Sequence, residues 1–436
     1  MKKLLFFWKE LMATFWFLPV LIICFAVLLS ISLVTLDNSI TITQEGWVRF
    51  FLVNSSHSAR SILSTIAGAM IGVAGTVFSV TLVALTLASS QFGPRLIKNF
   101  MYVRLNQVVL GSFVSTYLYC LLVLNAVKEN DGYIFIPSIS ILVAILAAII
   151  NIILLIIFIH RIAVSIQVDK VISDITNFIG KQVETLFPEK MGEEIKDEDN
   201  TDASAIISAY QNNISIKSPK SGYLQYINSE ALMKLVAKQN SLIELFHRPG
   251  SFLVKGSEIC LLYSSSVWEE DSLENLLKQI VIGRIKTSHQ DLEFSIHQMV
   301  EIAVRALSPG VNDPYTAITC IDNLTAVICN LTEAKFPSKY RYDDEGNLRV
   351  IADTLDFNGV LDASFNQIRQ FSAGSAAVII RLMEAMSTIL NFTKKESNKK
   401  AVIRHAEMVL TLGKETISEK NDINDLSKRA EEIFKS

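Results

Sequence analysis

The sequence predicts an α-helical membrane bundle of four transmembrane helices, followed by a mainly α soluble region that contains a small β module. Three observations predict it. Half of the residues are hydrophobic and 19% are charged, with a mean hydropathy of +0.36, so the chain is more apolar than an ordinary soluble domain. That excess is confined to residues 11–163, whereas Lys, Glu and Asp recur throughout everything after Asp169. Within the apolar part, four runs reach the roughly 20 residues that a helix needs to cross a bilayer.

The four predicted spans are 12–36, 62–88, 106–127 and 138–160. The first follows Lys2, Lys3 and Lys9 and runs to Leu36, too long for the apolar region of a secretion signal and without a small-residue exit. An even number of spans places both termini on one side. Lys2, Lys3, Lys9, Arg95, Lys98, Arg104, Arg161 and Lys170 flank the spans on that side. Arg49, Arg60 and Lys128 lie on the other, offset by Asp37, Glu45, Glu129 and Asp131. The positive-inside rule therefore predicts cytoplasmic termini in a bacterial inner membrane. Trp8, Trp16, Trp47 and Tyr133 suit the interfaces.

The second span differs from the others. Gly68 and Gly72 form a GxxxG pair, extended by Gly75, that admits a second helix backbone at close range. Thr76, Ser79, Thr86 and Ser90 share a face with them at helical spacing. Two readings of this face stand open: hydrogen-bonded glue between helices, or the lining of a water-filled path in a homo-oligomer. Asn125 and Asn151 suit either one. No acidic, basic or histidine residue occupies the middle of a span, which leaves a charge relay of the proton-pump type without residues to run on.

The predicted division is 1–163 as the membrane domain and 164–213 as a connecting helix with the acidic linker Glu193–Asp202. A β-rich module occupies 214–265, and a mainly helical domain 266–436. In the module, strands are predicted at Gly222–Ile227, Ser241–His247, Ser251–Val254 and Glu258–Tyr263, with a helix over Asn228–Gln239. Further on, helices are predicted over 271–282, 290–306 and 313–333, then a hairpin through Asp344, Gly346 and Asn347, and helices from about 359 to the end. The five cysteines are scattered without metal-ligand spacing, which reads as buried thiols in a reducing compartment. No cofactor is indicated. A net charge of −3 without a basic, aromatic-interleaved stripe argues against a nucleic-acid partner.

The densest motif is the stretch around RALSPGVNDPYTA. Glu301 and Arg305 are one turn apart on a helix, in the order that favours an ion pair. Pro309 and Gly310 break that helix, and Asn312 or Asp313 caps the next, with Pro314 in its first turn. The exposed N–H groups of such a corner can accept an anion, assisted by Arg284, Arg305 or Thr316; alternatively, the same residues lock the corner structurally. Ser308 has no triad geometry with His289 or His297. Enzyme chemistry is therefore not predicted, and a channel with a gating region or a membrane-anchored sensor or scaffold ranks above it.

The pieces FSVTLVALTLASSQFGPR, SGYLQYINSEAL, RPGSFLVKG and RALSPGVNDPYTA occur in an order that resembles the bacterial predicted-membrane-protein family known as domain of unknown function 2254. The resemblance covers nearly the whole chain and implies a multi-pass membrane protein, with no activity to carry over. Its motif positions here are Phe78, Ser79, Gln91, Pro94, Arg95, Gln290, Asp291, Arg305, Ser308, Pro309, Asn312, Asp313, Pro314 and Thr316. Separately, PGSFLVKGSEICLL is similar to one strand-turn-strand of barrel-sandwich hybrid domains, although no lysine stands in a carrier context.

Overall fold

A computed structural model describes residues 14, 16–39, 53, 55–93, 104–130, 133–165, 167–183, 187, 191–192, 203–334 and 336–435. Trp8, Glu45, Trp47, Asp131, the acidic run 193–202 and the cations Lys2, Lys3, Lys9, Arg49, Arg95 and Lys98 lie outside the described residues. The chain divides into two compact units, Met1–Lys170 and Val171–Ser436.

The first unit contains four helices long and apolar enough to span a membrane: α1 (Phe17–Ser39), α2 (Ser56–Phe92), α3 (Arg104–Ala126) and α4 (Ser138–Ser165). A short hairpin, β1 (Lys128–Asn130) with β2 (Tyr133–Phe135), joins the last two. Helix α3 packs on all three others. It can approach α1 closely because Gly111 faces it: a Cβ there would lie 2.9 Å from Pro19 Cα. Leu63, Ala67, Tyr119, Val123, Ile141 and Ala144 fill one half of the interior, and Met70, Ala74, Val77, Phe113 and Phe158 the other.

Several polar groups inside this bundle pair across helices. Asn151 on α4 donates to Thr116 Oγ1 at 2.8 Å and accepts from Ser112 Oγ at 2.6 Å, tying α4 to α3. At one end, Asp37 caps α4 from the end of α1. Its carboxylate accepts from Ile139 N at 2.9 Å, Ser140 N at 3.0 Å and Ser140 Oγ at 2.7 Å. A carboxylate there satisfies N–H groups that have no partner within the helix and complements its dipole.

In the second unit, α5 (Val168–Val183) lays Val171, Ile172, Ile175 and Ile179 inward. It joins the helical layer through Thr176 Oγ1, which donates to Asn323 Oδ1 at 3.1 Å, and Gln182, which accepts from Ser295 Oγ. A short helix α6 (Ala203–Ser208) precedes the β structure.

That structure holds β3 (Asn212–Lys217), β4 (Gly222–Ile227), α7 (Ser229–Lys238), β5 (Leu242–Leu245), β6 (Phe252–Leu253) and β7 (Glu258–Ser264). After α8 (Glu270–Leu277) comes β8 (Ile280–Gly283), and far along the chain β9 (Tyr340–Tyr342) and β10 (Leu348–Ala352). One sheet has the order β3-β7-β5-β10-β9, with β5 and β10 parallel; the other is β6-β4-β8. Between them lie Leu224, Ile227, Leu232, Val236, Leu245, Ile259 and Leu262.

Three expectations change here. The β structure does not stop at residue 265, because strands from 280–283 and 340–352 complete its sheets. Residues 271–282 are not one helix. The run Ile280–Val281–Ile282 is β-branched and pairs with β4, and a short apolar run of that kind has no period that separates strand from helix. Residues 251–263 do not form a hairpin either. Gly256, at φ +86°, turns the chain from one sheet to the other, so β6 pairs with β4 while β7 pairs with β3 and β5. The predicted hairpin at Gly346 is present as β9 and β10.

Six longer helices complete the unit: α9 (Leu292–Ala306), α10 (Pro314–Glu333), α11 (Phe357–Phe371), α12 (Ala376–Phe392), α13 (Glu396–Thr416) and α14 (Lys420–Phe434). Helix α12 packs on α10, α13 and α14.

Candidate functional site

Two places gather the small and polar residues that stand out in the sequence. The first is α2. Its bundle-facing residues are Ala59, Leu63, Ala67, Met70, Ala74, Val77, Thr81, Ala88 and Phe92. Gly68, Gly72, Gly75, Thr76, Ser79, Thr86 and Ser90 are all exposed. At 3.6 residues per turn these seven fall within an arc of about 100°, centred almost diametrically opposite the buried face. A Cβ built at Gly68, Gly72 or Gly75 meets nothing within 4 Å. Among the described residues, then, no side chain of another helix lies against the three glycines.

Its hydroxyls turn back on their own helix: Thr76 donates to Gly72 O at 3.3 Å, Thr86 to Leu82 O at 2.9 Å and Ser90 to Leu87 O at 2.9 Å. Each oxygen keeps acceptor capacity directed away from the helix. Asn151 belongs elsewhere: it is fully buried in the bundle, while Asn125 is exposed at the end of α3.

The second place is the corner between α9 and α10. Helix α9 ends as Leu307 N donates to Ala303 O at 3.1 Å, and the Ser308 backbone N and Oγ both donate to Arg305 O, at 3.1 and 2.6 Å. Val311 N and Asn312 N return to Ser308 O, with Asn312 at φ +50°, and Asp313 N donates to Ala306 O at 2.8 Å. Asp313 then caps α10. One oxygen accepts from Thr316 N at 3.1 Å and the other from Thr316 Oγ1 at 2.6 Å. The Thr316 hydroxyl holds the Asp313 carboxyl below the usual carboxylate range. A negative charge already occupies the position where an anion would dock.

Glu301 and Arg305, one turn apart on α9, are both half-buried. Ser308 Oγ gives its proton to a carbonyl, which is no preparation for nucleophilic attack. Arg284 sits exposed at the end of β8 and takes part in none of the corner's hydrogen bonds. Val311 and Tyr315, by contrast, project outward from the corner; their exposure has no signature in a sequence.

Sequence reasoning also missed the junction that starts α9. Arg248 donates through Nε and Nη2 to Glu293 Oε2, at 3.2 and 2.7 Å, and through Nη1 to Asp353 Oδ2 at 3.1 Å. Gly250, at φ +98°, leaves room that a Cβ would take from the Asp291 carboxylate. Asp291 caps α9 by accepting from Phe294 N at 2.9 Å, while its Oδ2 is buried without a hydrogen-bond partner. Burial raises its carboxyl to about 6, against the Phe294 N–H and the nearby Lys286 and Arg248 cations. Beside it, the Gln290 amide accepts from Ile227 N at 2.9 Å and donates to Ile227 O at 3.1 Å, taking the place of a strand partner. The RPG turn was the only local hint of this junction. Its carboxylates come from distant segments.

The pattern of a family described as predicted membrane proteins, DUF2254, matches residues 12–388. The chain belongs to this family. Uncharacterised proteins of Mycobacterium bovis and Mycobacterium tuberculosis are each 30% identical to it over 369 residues, covering 84% of this chain and 70% of theirs. No solved structure matches. In this DUF2254 member the motif residues Gln290, Asp291, Ser308, Asp313 and Thr316 close hydrogen bonds around the ends of α9 and the start of α10, and Phe78 and Ser79 stand on the outer side of α2. Pro94 and Arg95 lie outside the described residues.

Proposed function

We propose that this membrane protein assembles as a homo-oligomer through the outer face of α2 and that the assembly is a channel, with the soluble region acting as its gate or sensor. The supporting observation is the direction of the Gly68 to Ser90 stripe, which points away from the chain's own bundle. At 1.5 Å per residue the stripe is about 33 Å long, close to the roughly 30 Å hydrocarbon thickness. Small residues facing lipid gain little, whereas facing another copy they permit close backbone contact. Hydroxyls whose protons are committed to carbonyls would present acceptor oxygens to the path, which suits water and cations over anions. In this reading both termini are cytoplasmic and the protein is not an enzyme.

A second reading keeps the oligomer and drops the path. The same back-bonding of Thr76, Thr86 and Ser90 suits tight helix packing, with the membrane unit as an anchor for a sensor or scaffold. Reconstitution of the full chain in liposomes separates the two. A channel gives cation flux that falls when Thr76→Leu and Ser79→Leu are introduced together without change of oligomer mass. An intact oligomer with no flux of any small ion leaves the anchor reading. Disulfide-linked pairs from Gly72→Cys, in a Cys24→Ala background, are expected under both; their absence would sink the shared interface.

A further inference from the structure

One end of the β structure carries a surface that the channel reading does not use. It is built from three turns or strand ends: residues 217–223, 252–257 and 283–287. Pairing brings them together, since Tyr223 lies opposite Phe252 on one side and Gly283 on the other. Lys255 N donates to Ser221 Oγ at 2.9 Å, and Gly256 N to Ser218 O at 2.8 Å. These segments contain Lys217, Lys220, Lys255, Arg284 and Lys286 and no Asp or Glu, in a chain whose net charge is −3. Lys217, Lys220, Lys255 and Arg284 are exposed, and none is ion-paired among the described residues. Lys286 reaches over the Tyr223 ring, 5.7 Å from its centroid.

Among these cations stand apolar side chains that the fold does not need inside. Leu253 points into the core, so its neighbours Phe252 and Val254 alternate outward, 57% and 56% exposed, and Ile285 beside them is 47% exposed. Phe252 is held edge-on to Tyr223 at 5.0 Å between centroids. Cations around exposed aliphatic and aromatic groups match the boundary between anionic headgroups and acyl chains. A second copy fits this surface badly, because a two-fold contact would set the same cations against one another. Nucleic acid would match the charge and could stack a base on Phe252, but it would leave the aliphatic Val254 and Ile285 in water, whereas acyl chains take all three.

We propose that this cationic, apolar-tipped end of the β structure docks on the anionic headgroups of the bilayer in which the chain is embedded. The phosphate groups meet Lys217, Lys220, Lys255 and Arg284, and Phe252, Val254 and Ile285 enter the outer acyl region. Each cation near an anionic surface strengthens such a contact by about fivefold, and salt weakens it.

Hydrogen exchange on the full chain in nanodiscs tests the proposal, comparing phosphatidylglycerol with phosphatidylcholine. Amides of 217–223, 252–257 and 283–287 are expected to exchange at least about fivefold more slowly in phosphatidylglycerol at low salt. High salt should remove the difference, as should the pair Lys220→Glu and Lys255→Glu. Because both side chains are exposed, the melting temperature should stay the same; Lys220→Gln with Lys255→Gln provides a milder pair if the reversal does not fold. Val254→Ser should reduce the protection while leaving its salt dependence. Equal exchange in the two lipids overturns the proposal. So does slowing that appears in phosphatidylcholine and requires two protomers per disc, or slowing that appears only with added RNA.

Discussion

The outer face of α2 and the corner between α9 and α10 look alike as sequence and opposite as structure. Both concentrate small and polar residues at helical or turn spacing. In the corner, Ser308, Asp313 and Thr316 spend their hydrogen bonds on the backbone around them and on one another. On α2 the glycines have nothing within 4 Å of a Cβ among the described residues. A dense motif can thus be complete in itself while a sparse stripe is left open. What separates them is the direction each faces.

The sharpest way to break this comparison is a pair of glycine substitutions. Gly72→Leu should dissociate the oligomer completely without destabilising the protomer, since a Cβ there meets nothing within 4 Å among the described residues. Gly111→Leu should do the reverse damage. Its side chain would drive into Pro19 and Ile22, a cost of about 3 kcal/mol in the protomer itself. Native mass measurement and denaturant titration in detergent read both quantities. Equal protomer destabilisation by the two would show that the α2 stripe also packs within the chain.

The N-caps of α9 and α10 give the next largest effect and differ in sign. Burial raises the Asp291 carboxyl to about 6, above its unfolded value of about 3.9, so its contribution is fully present below about pH 4 and is lost as pH rises through 6. The loss amounts to about 3 kcal/mol. Asp291→Asn retains a capping oxygen and no charge, so its melting temperature should be flat across that window and higher than wild type above it. Asp313 runs the other way: its carboxyl is lowered, so its stabilisation is present above the unfolded value and is lost on acidification. Asp313→Ala should cost about 1 kcal/mol at neutral pH, the usual worth of an N-cap. A parallel pH response of the two wild-type caps, seen by substituting each, would contradict the burial difference.

The smallest expected effect lies inside the bundle. Asn151→Leu removes the partner of Ser112 and Thr116, and interhelical hydrogen bonds in membranes average about 0.6 kcal/mol. Oligomer mass should not change, since Asn151 faces its own bundle. A loss of assembly in this variant would move the interface away from α2.

Much of this architecture can be read from residue patterns. The four spans lie within a few residues of their predicted limits, β4 has its predicted bounds, and Asp313 caps α10 beside Pro314. These features are local, set by run length, alternation and cap chemistry. The unread ones are not local. Helical spacing puts Gly72 and Ser79 on one face but carries no information on what that face meets. Gly111 is a single glycine in an apolar run, and its role depends on Pro19, a residue of another helix. Arg248, Glu293 and Asp353 meet only because β5, α9 and β10 converge.

The length of α2 has a mechanical consequence. Its 37 residues extend about 55 Å, well beyond the thickness of a hydrocarbon core. From Gly72 to Phe92 the distance along the axis is about 30 Å. Pivoting at the glycine by about 10° would sweep the far end through about 5 Å, the rise of one helical turn.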